Sequence, residues 1–326
     1  MFFRCHDIKT KINEAGRLRT PFLFGIDFEM DKGFFVPHPM QQQYILFDFN
    51  GVSNAKKGEN IVLPYSFTAF PEDYQTYQMR FDKVMSALHN GDSQLVNLTI
   101  KSSVQSSLSL REIFAYSHTM YRLFVPDKFV CFSPERFIKI ENKKIRTYPM
   151  KGTIDAAIEN AAHIILHDSK ESAEHFASVG LLCNDLRSVA TDVSIKRYRY
   201  IDTLQTSKGN ILQVSSEIEG TLPDNHLENI GTLVFKLLPA GSILGIPKKA
   251  TLNIIREAEG EPRGFYSGVA GYFDGKTLDT CVLIRYIEQE DEALFFRSGS
   301  GITVNSVCEK EYREAIRKIY LPFLCS

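Results

Sequence analysis

Short apolar runs rich in Phe, Ile and Val open the chain, broken by Gly, Pro and Asp. PFLFGIDFEM (21–30), GFFVP (33–37) and YILFDFN (44–50) each read as a strand. The period then changes. Tyr74, Tyr77, Phe81, Val84 and Leu88 recur at helical spacing and stop near Gly91, which predicts a helix. Strands resume at LVNLTI (95–100), FVCFS (129–133) and GNILQVSSEIEGTL (209–222), and RFIKIENKKIRTYP (136–149) has the form of a hairpin. Helical patterning takes over at 155–190, 250–259 and 309–323. GFYSGVAGYF (264–273), TCVLIRYI (280–287) and ALFFRSGSGITV (293–304) add three late strands. No repeat, low-complexity tract or Gly/Ser linker interrupts this mixture, and the candidate site residues scatter from 135 to 318. One large α+β domain over 1–326 is expected rather than two, with 1–74 a β-rich N-terminal part.

Two helices carry paired carboxylates. In DSKESAEHFASVGLLCNDL (168–186), Asp168 followed by Glu171 has the form of a capping box, and Glu171 and Glu174 are i,i+3 neighbours on one face. In EKEYREAIRKIYLPF (309–323), Tyr312, Ala315, Ile316, Ile319, Tyr320 and Phe323 make an apolar stripe. Lys310, Arg313 and Arg317 lie on one flank, and Glu311, Glu314 and Lys318 on the other. For either helix alone, a solvated salt-bridge face is the simpler reading. Were the helices to face each other, four carboxylates would call for a cation. Oxygen-only ligands suit Mg²⁺, which takes an anionic substrate group as a further ligand.

The glycine-bearing segments do not match nucleotide loops. SGSGITVNS (298–306) has Val304 where a dinucleotide fingerprint needs its third Gly. PAGSILGIPKKA (239–250) lacks the Gly-Lys-Ser/Thr ending of a phosphate loop. A strand whose bare backbone at Gly299–Gly301 approaches a carboxylate stays open. In TYPMKGTID (147–155), Lys151 follows a Pro-Met turn; it is either solvated or, if neutral, a nucleophile. In SPERF (133–137), Glu135 is either ion-paired or, if desolvated, a general acid.

Composition narrows the classes. The 326 residues are 44% hydrophobic and 24% charged, a globular balance. Lys+Arg 38 against Asp+Glu 39 leaves a net charge of -1. No global field favours nucleic acid or an acidic membrane, so an anionic ligand must be held locally. The six cysteines form no C-x-x-C pair, which argues against zinc or a disulfide framework and for a reducing compartment. MFFRCHDIKTKINEAGR lacks a signal-peptide core, and no apolar run approaches the ~20 residues of a membrane span. A cytoplasmic protein is expected.

Taken together and in order, GDSQLVNLT (91–99), FSPERF (132–137), YPMKGT (148–153), KESAEH…LLCNDL (170–186), LLPAGSILGIPK (237–248), RGFYSGVAGY (263–272), LIRY (283–286) and SGSGITVNSVCEKEYREAIRK (298–318) resemble the chorismate-utilising enzymes. The chain is shorter than typical members at its N-terminal end. The resemblance implies an α+β fold of large antiparallel sheets packed together with helices outside. The lysine in PMKGT points, within the family, to component I of aminodeoxychorismate synthase, on the path to 4-aminobenzoate and folate. It implies Lys151 as covalent nucleophile and Glu135 as general acid. It implies Mg²⁺ on Glu174 and Glu314, with Glu171 and Glu311 as close or water-mediated partners. Gly152, Thr153, Tyr266, Arg285, Gly299, Ser300, Gly301 and Lys318 would hold the substrate's carboxylates. With no Cys/His amidotransferase pattern in the chain, ammonia would come from a separate glutamine amidotransferase subunit. Anthranilate synthase component I and a catalytically lapsed binding relative are the alternatives. Leu95 stands where isochorismate and salicylate synthases carry a Lys that activates water. Gln213 stands where many relatives have His, and Gly180 and Cys183 replace the usual Asp and Arg.

Overall fold

A computed structural model of the chain describes residues 2–55, 64–206 and 209–323. In chain order the elements begin β1 (Phe2–Arg4), α1 (Cys5–Leu18), β2 (Phe22–Ile26), β3 (Lys32–Pro37), β4 (Leu46–Phe49), β5 (Val52–Ser53) and β6 (Phe67–Phe70). They continue with α2 (Tyr74–His89), β7 (Leu95–Ser106), α3 (Leu110–Tyr116), β8 (Tyr121–Val125), β9 (Phe129–Ser133), β10 (Arg136–Glu141) and β11 (Lys144–Thr147). Next come β12 (Met150–Asp155), α4 (Ala161–His167), α5 (Ser169–Arg187), β13 (Thr191–Thr206), β14 (Gly209–Thr221) and α6 (Ile230–Leu237). The chain closes with β15 (Gly245–Ile246), α7 (Lys248–Glu259), β16 (Val269–Phe273), β17 (Leu278–Val282), β18 (Tyr286–Glu290), β19 (Ala293–Ile302) and α8 (Cys308–Arg317).

The strands form two antiparallel sheets. The ten-stranded sheet runs β1-β3-β2-β16-β17-β10-β11-β14-β12, with β13 also on β14; the nine-stranded sheet runs β15-β7-β19-β18-β9-β8-β4-β5, with β6 on β7. Leu23, Phe34 and Cys281 of the first sheet meet Phe47, Leu123 and Phe129 of the second in a buried layer between them. The other face of the first sheet, through Phe22, Phe24, Ile140 and Phe273, packs under Ile8 and Ile12 of α1, Leu182 and Leu186 of α5, and Val234 of α6. The outer face of the second sheet, through Val130, Phe132, Ile287 and Phe296, is covered by Ile113 and Phe114 of α3. Alternation along each strand sends successive side chains into different layers, so a two-residue apolar period fills both at once.

Several boundaries move from their expected places. The N-terminal part is not only strands: α1 buries Ile8, Ile12 and Ala15 at helical spacing. Gly16 lets α1 approach the next layer, since a Cβ there would lie 2.1 Å from the Leu227 carbonyl oxygen. Within 155–190, two helices meet at Asp168, whose carboxylate accepts the Glu171 N–H at 2.8 Å. The last helix ends at Arg317, with Lys318 as its cap, so Tyr320 and Phe323 lie beyond it. The 264–273 strand begins only at Val269, after a turn.

The largest departure is at 280–287. That run is not one strand. β17 pairs with β10 and β16 in the first sheet, β18 with β9 and β19 in the second, and the chain crosses between sheets at Leu283–Arg285. Arg285 takes φ 54 there. The chain makes the opposite crossing at Pro134–Glu135, between β9 and β10. The two crossings are bonded together, Val282 N–H to the Glu135 carbonyl at 3.1 Å and Phe132 N–H to the Arg285 carbonyl at 2.9 Å.

Candidate active site

The paired crossings put Glu135 and Arg285 side by side, 150 positions apart in sequence. The carboxyl of Glu135 is enclosed by protein while the residue keeps a partly open edge. Burial pushes its pKa up. The Ser242 hydroxyl, donating to Oε1 at 2.5 Å, and the charges of Lys151, Lys318 and Arg285 pull the other way without overcoming burial. Glu135 therefore holds a proton at higher pH than an ordinary carboxyl.

Lys151 lies on β12, opposite Val214 of β14, while Thr153 lies opposite Gln213. The register slips between them, and Gly152 is the extra residue of a bulge, at φ 76. An added Cβ at Gly152 would sit 3.2 Å from Glu171 Oε2 and 3.4 Å from Ile165. Glycine is thus favoured by its conformation, while the flexible Glu171 side chain makes only a tight contact there. Lys151 is half-buried and Thr153 exposed.

Lys318 reaches the same centre from the end of α8. Its Nζ donates to the Gly299 carbonyl at 2.8 Å and to Glu314 Oε1 at 2.7 Å. Burial pulls its pKa down; Glu314 opposes this, and the nearby charges of Arg285 and Lys151 add to it. Gly299, Ser300 and Gly301 of β19 stand opposite Thr99, Leu98 and Asn97 of β7. A Cβ at Gly299 would lie 2.6 Å from the Leu98 carbonyl, so close strand packing also demands glycine there. The Arg285 guanidinium rests 5.4 Å from the Tyr320 ring centroid, and its buried Nε has no hydrogen-bond partner among the described residues. Tyr266 is buried, and burial pushes its phenol up to about 12, against the charges of Arg263 and Arg285. Three cations, Lys151, Arg285 and Lys318, therefore surround one carboxyl that leans toward its neutral form. Such a centre attracts an anion and offers it a proton.

The four helix glutamates are less tightly grouped. Glu171 reaches the Gly152 bulge, and Glu174 is half-buried one turn further on. Glu314 pairs with Lys318. Glu311, expected on a polar flank, is instead buried beneath α8, where Ser306 donates to its Oε1 at 2.9 Å. Among the described residues no three His, Cys, Asp or Glu side chains converge into a metal-holding cluster. The donors on offer are all carboxylate oxygens, which fits an ion that takes one or two protein carboxylates and completes its shell from water and substrate.

The sequence model for chorismate binding enzymes matches residues 56–322. The chain belongs to this family. It is 46% identical to the uncharacterized PabA-like protein of Haemophilus influenzae over 95% of the chain and 94% of that protein. It is 30% identical to aminodeoxychorismate synthase component 1 of Bacillus subtilis over 78% of the chain, spanning 56% of that longer protein. The fold matches the menaquinone-specific isochorismate synthase of Escherichia coli with a TM-score of 0.75, covering 98% of this chain and 82% of that one at 17% identity. At that identity the likeness is one of fold, and it bears out the expected α+β architecture of large antiparallel sheets.

In this chorismate-binding enzyme, Leu95 is buried with its Cδ1 where it would lie 3.1 Å from a Cβ at Gly301, and its alkyl side chain cannot act as a base. Gln213 faces Thr153 across the ladder. Gly180 and Cys183 do not enter the centre: Gly180 is exposed with open space beside it, and Cys183 is part of the core under α5. Asp185 pairs with Lys248 at 2.8 Å, tying α5 to the start of α7. Two residues were missed. Ser242, inside the quoted PAGS segment, is the hydrogen-bond donor to Glu135. His175, directly after Glu174, is buried with its Nε2 2.7 Å from Ser216 Oγ, and burial pulls its pKa down to about 4. Neither had a local signal beyond being polar inside a matching segment. No helix among the described residues is long and apolar enough to cross a membrane.

Proposed function

We propose that this chorismate-binding enzyme acts as component I of an aminodeoxychorismate synthase, converting chorismate and ammonia to 4-amino-4-deoxychorismate in the cytoplasm. The observation that carries the reading is Lys151, held on a glycine bulge within electrostatic reach of Glu135. Lys151, once it has given up its proton to become an amine, attacks ring carbon 2 through Nζ as the 4-hydroxyl departs with a proton from Glu135, so the C–O bond breaks and water leaves; the proton shed by the newly bonded nitrogen returns to the Glu135 carboxylate. Ammonia then bonds to carbon 4 and the C2–N bond breaks, returning the lysine. The displacement is split into two steps. Arg285 and Lys318, with Tyr266, Thr153 and the backbone at Gly152 and Gly299–Gly301, orient the substrate's two carboxylates. An Arg fork suits such a group bidentately. Glu174 and Glu314, with Glu171 and Glu311 as neighbours, would hold Mg²⁺, which when bound neutralises and orients a carboxylate. The ammonia comes from a separate glutamine amidotransferase, and the product leads toward 4-aminobenzoate and folate.

A second reading, anthranilate synthase component I, shares every one of these groups except a need for Lys151. Incubation with chorismate, Mg²⁺ and ammonium salt separates the two by product. In Lys151→Ala, amination at carbon 4 should fall strongly, with residual turnover diverted to carbon 2. With ammonia withheld, the wild-type peptide containing Lys151 should carry a chorismate-derived mass. Absence of that adduct, together with normal carbon-4 amination by Lys151→Ala, would overturn the covalent route.

A further inference from the structure

Three segments around Lys151 meet at one buried hydroxyl. Lys151 pairs with Val214 on β14, and Ser216, two residues further, faces the same side of that strand, the side on which Ile218 packs under α5. Ser216 is fully buried. Its N–H donates to the Pro149 carbonyl at 3.0 Å, just before β12 and two residues ahead of Lys151. Its Oγ lies 2.7 Å from Nε2 of His175 on α5 and accepts the Arg199 N–H of β13 at 2.9 Å. The Arg199 guanidinium in turn donates to the Leu166 carbonyl at 2.8 Å, in the last turn of α4. The neighbouring Ile165 is the α4 residue that a Cβ at Gly152 would meet at 3.4 Å. One hydroxyl thus joins the strand that carries Lys151, the helix over its bulge and the helix that carries Glu171 and Glu174.

This junction is not built for stability alone. Arg199 takes φ 47, in the left-handed region that penalises a side chain with a Cβ. Its Nε and the Nδ1 of His175 are buried with no hydrogen-bond partner among the described residues. Unmatched buried polar atoms oppose folding, and apolar side chains of similar shape would avoid that penalty. Backbone strain of this kind clusters at functional sites, where the surrounding structure holds it.

We infer that Ser216 and His175 are positioning residues for the covalent step: their side-chain bond fixes the Lys151 strand relative to α5, so that the lysine meets ring carbon 2 of a substrate held by Arg285 and Lys318. Both act through Lys151 and not by touching the substrate, a role that suits their burial. The inference rests on the proposed function, since the step it serves is attack by Lys151. Placement matters steeply here, because an error of about 1 Å in a reacting group can lower a rate by about a hundred-fold.

The test compares wild type with Ser216→Ala, His175→Leu and His175→Gln, each assayed well below its own thermal midpoint. Ser216→Ala and His175→Leu break the link independently, one from each side. His175→Gln can bring an amide nitrogen to the place of Nε2 and remake it. The readouts are steady-state kcat and KM for chorismate with Mg²⁺ and ammonium salt, and the rate of adduct formation on the Lys151 peptide with ammonia withheld. With the link broken, kcat and the adduct rate should fall together by about ten- to a hundred-fold. KM should stay within about three-fold, because Arg285, Tyr266 and Lys318 lie on other elements. His175→Gln should recover most of the loss. A merely structural pair would lower the midpoint and leave kcat of the folded enzyme unchanged. If wild type forms the adduct and either broken variant keeps kcat and adduct rate within about three-fold, the inference falls while the functional reading stands. A loss in KM as large as the loss in kcat would mark general disruption of the site and would also overturn it. If wild type forms neither the adduct nor a 4-amino product, the functional reading falls and takes this inference with it.

Discussion

Replacing Glu135 by Gln isolates the proton from nearly everything else at the site. The amide has the carboxyl's shape, and its oxygen can still accept the Ser242 hydroxyl that now donates at 2.5 Å. Burial dominates over the three neighbouring cations in setting the Glu135 pKa, so the ionised form costs folding free energy. The sign follows. A carboxyl whose folded pKa is raised binds protons more readily in the folded chain, and stability falls as pH rises through that window. Glu135→Gln removes this loss, so the variant's unfolding midpoint at neutral pH should equal or exceed that of wild type. Chorismate affinity should hold, because Arg285 and Lys318 are untouched and a neutral amide replaces a carboxyl that is itself held toward its neutral form. Turnover should collapse. A positioned general acid contributes ~10²–10⁴-fold, or about 3–5 kcal/mol of barrier. The assay is steady-state kcat and KM across pH at fixed free ammonia. Wild-type kcat should fade as pH rises through the raised Glu135 pKa and the acid form is lost. The variant should lack that limb. Retention of more than about a tenth of wild-type kcat, or survival of the high-pH limb in Glu135→Gln, would refute the assignment.

Two further outcomes follow from other parts of the molecule. Activity should require Mg²⁺, and Glu174→Gln should raise the Mg²⁺ concentration for half-maximal rate and remove most turnover; full activity in excess chelator would sink the metal assignment. Asp27, 3% exposed, has its pKa raised from 3.8 to about 6, burial outweighing the N–H groups of Lys32 and Asp31 that it accepts. The shift of roughly two units corresponds to ~3 kcal/mol, lost as pH rises from about 4 to about 6. Denaturant titrations at pH 4 and pH 7 should therefore show Asp27→Asn gaining on wild type by about that amount, and parallel pH profiles would contradict it.

The local patterning was largely legible in the chain. The helix over 74–88, the hairpin at 136–149 and the strand at 129–133 fall where apolar spacing put them, because a helix face and a pleated strand each impose their own period on burial. The candidate site residues Glu135, Lys151, Arg285 and Lys318 were legible in another way, since they stand in segments resembling a known family. What the chain could not declare is how those segments meet. The apolar run 280–287 reads as one strand whether it stays in one sheet or crosses between two; only the pairing partners of β17 and β18 break it at Arg285. Glu311 and Glu314 look equivalent on a helical wheel. Packing of α8 buries Glu311 on Ser306 and leaves Glu314 to Lys318. Ser242 carries no periodicity at all, and its place beside Glu135 comes from a contact between residues over a hundred positions apart. Periodicity reports which side of an element faces the interior. It holds no information about which interior surface, from which distant element, arrives opposite, and the proton and charge balance of this site is set by that arrival.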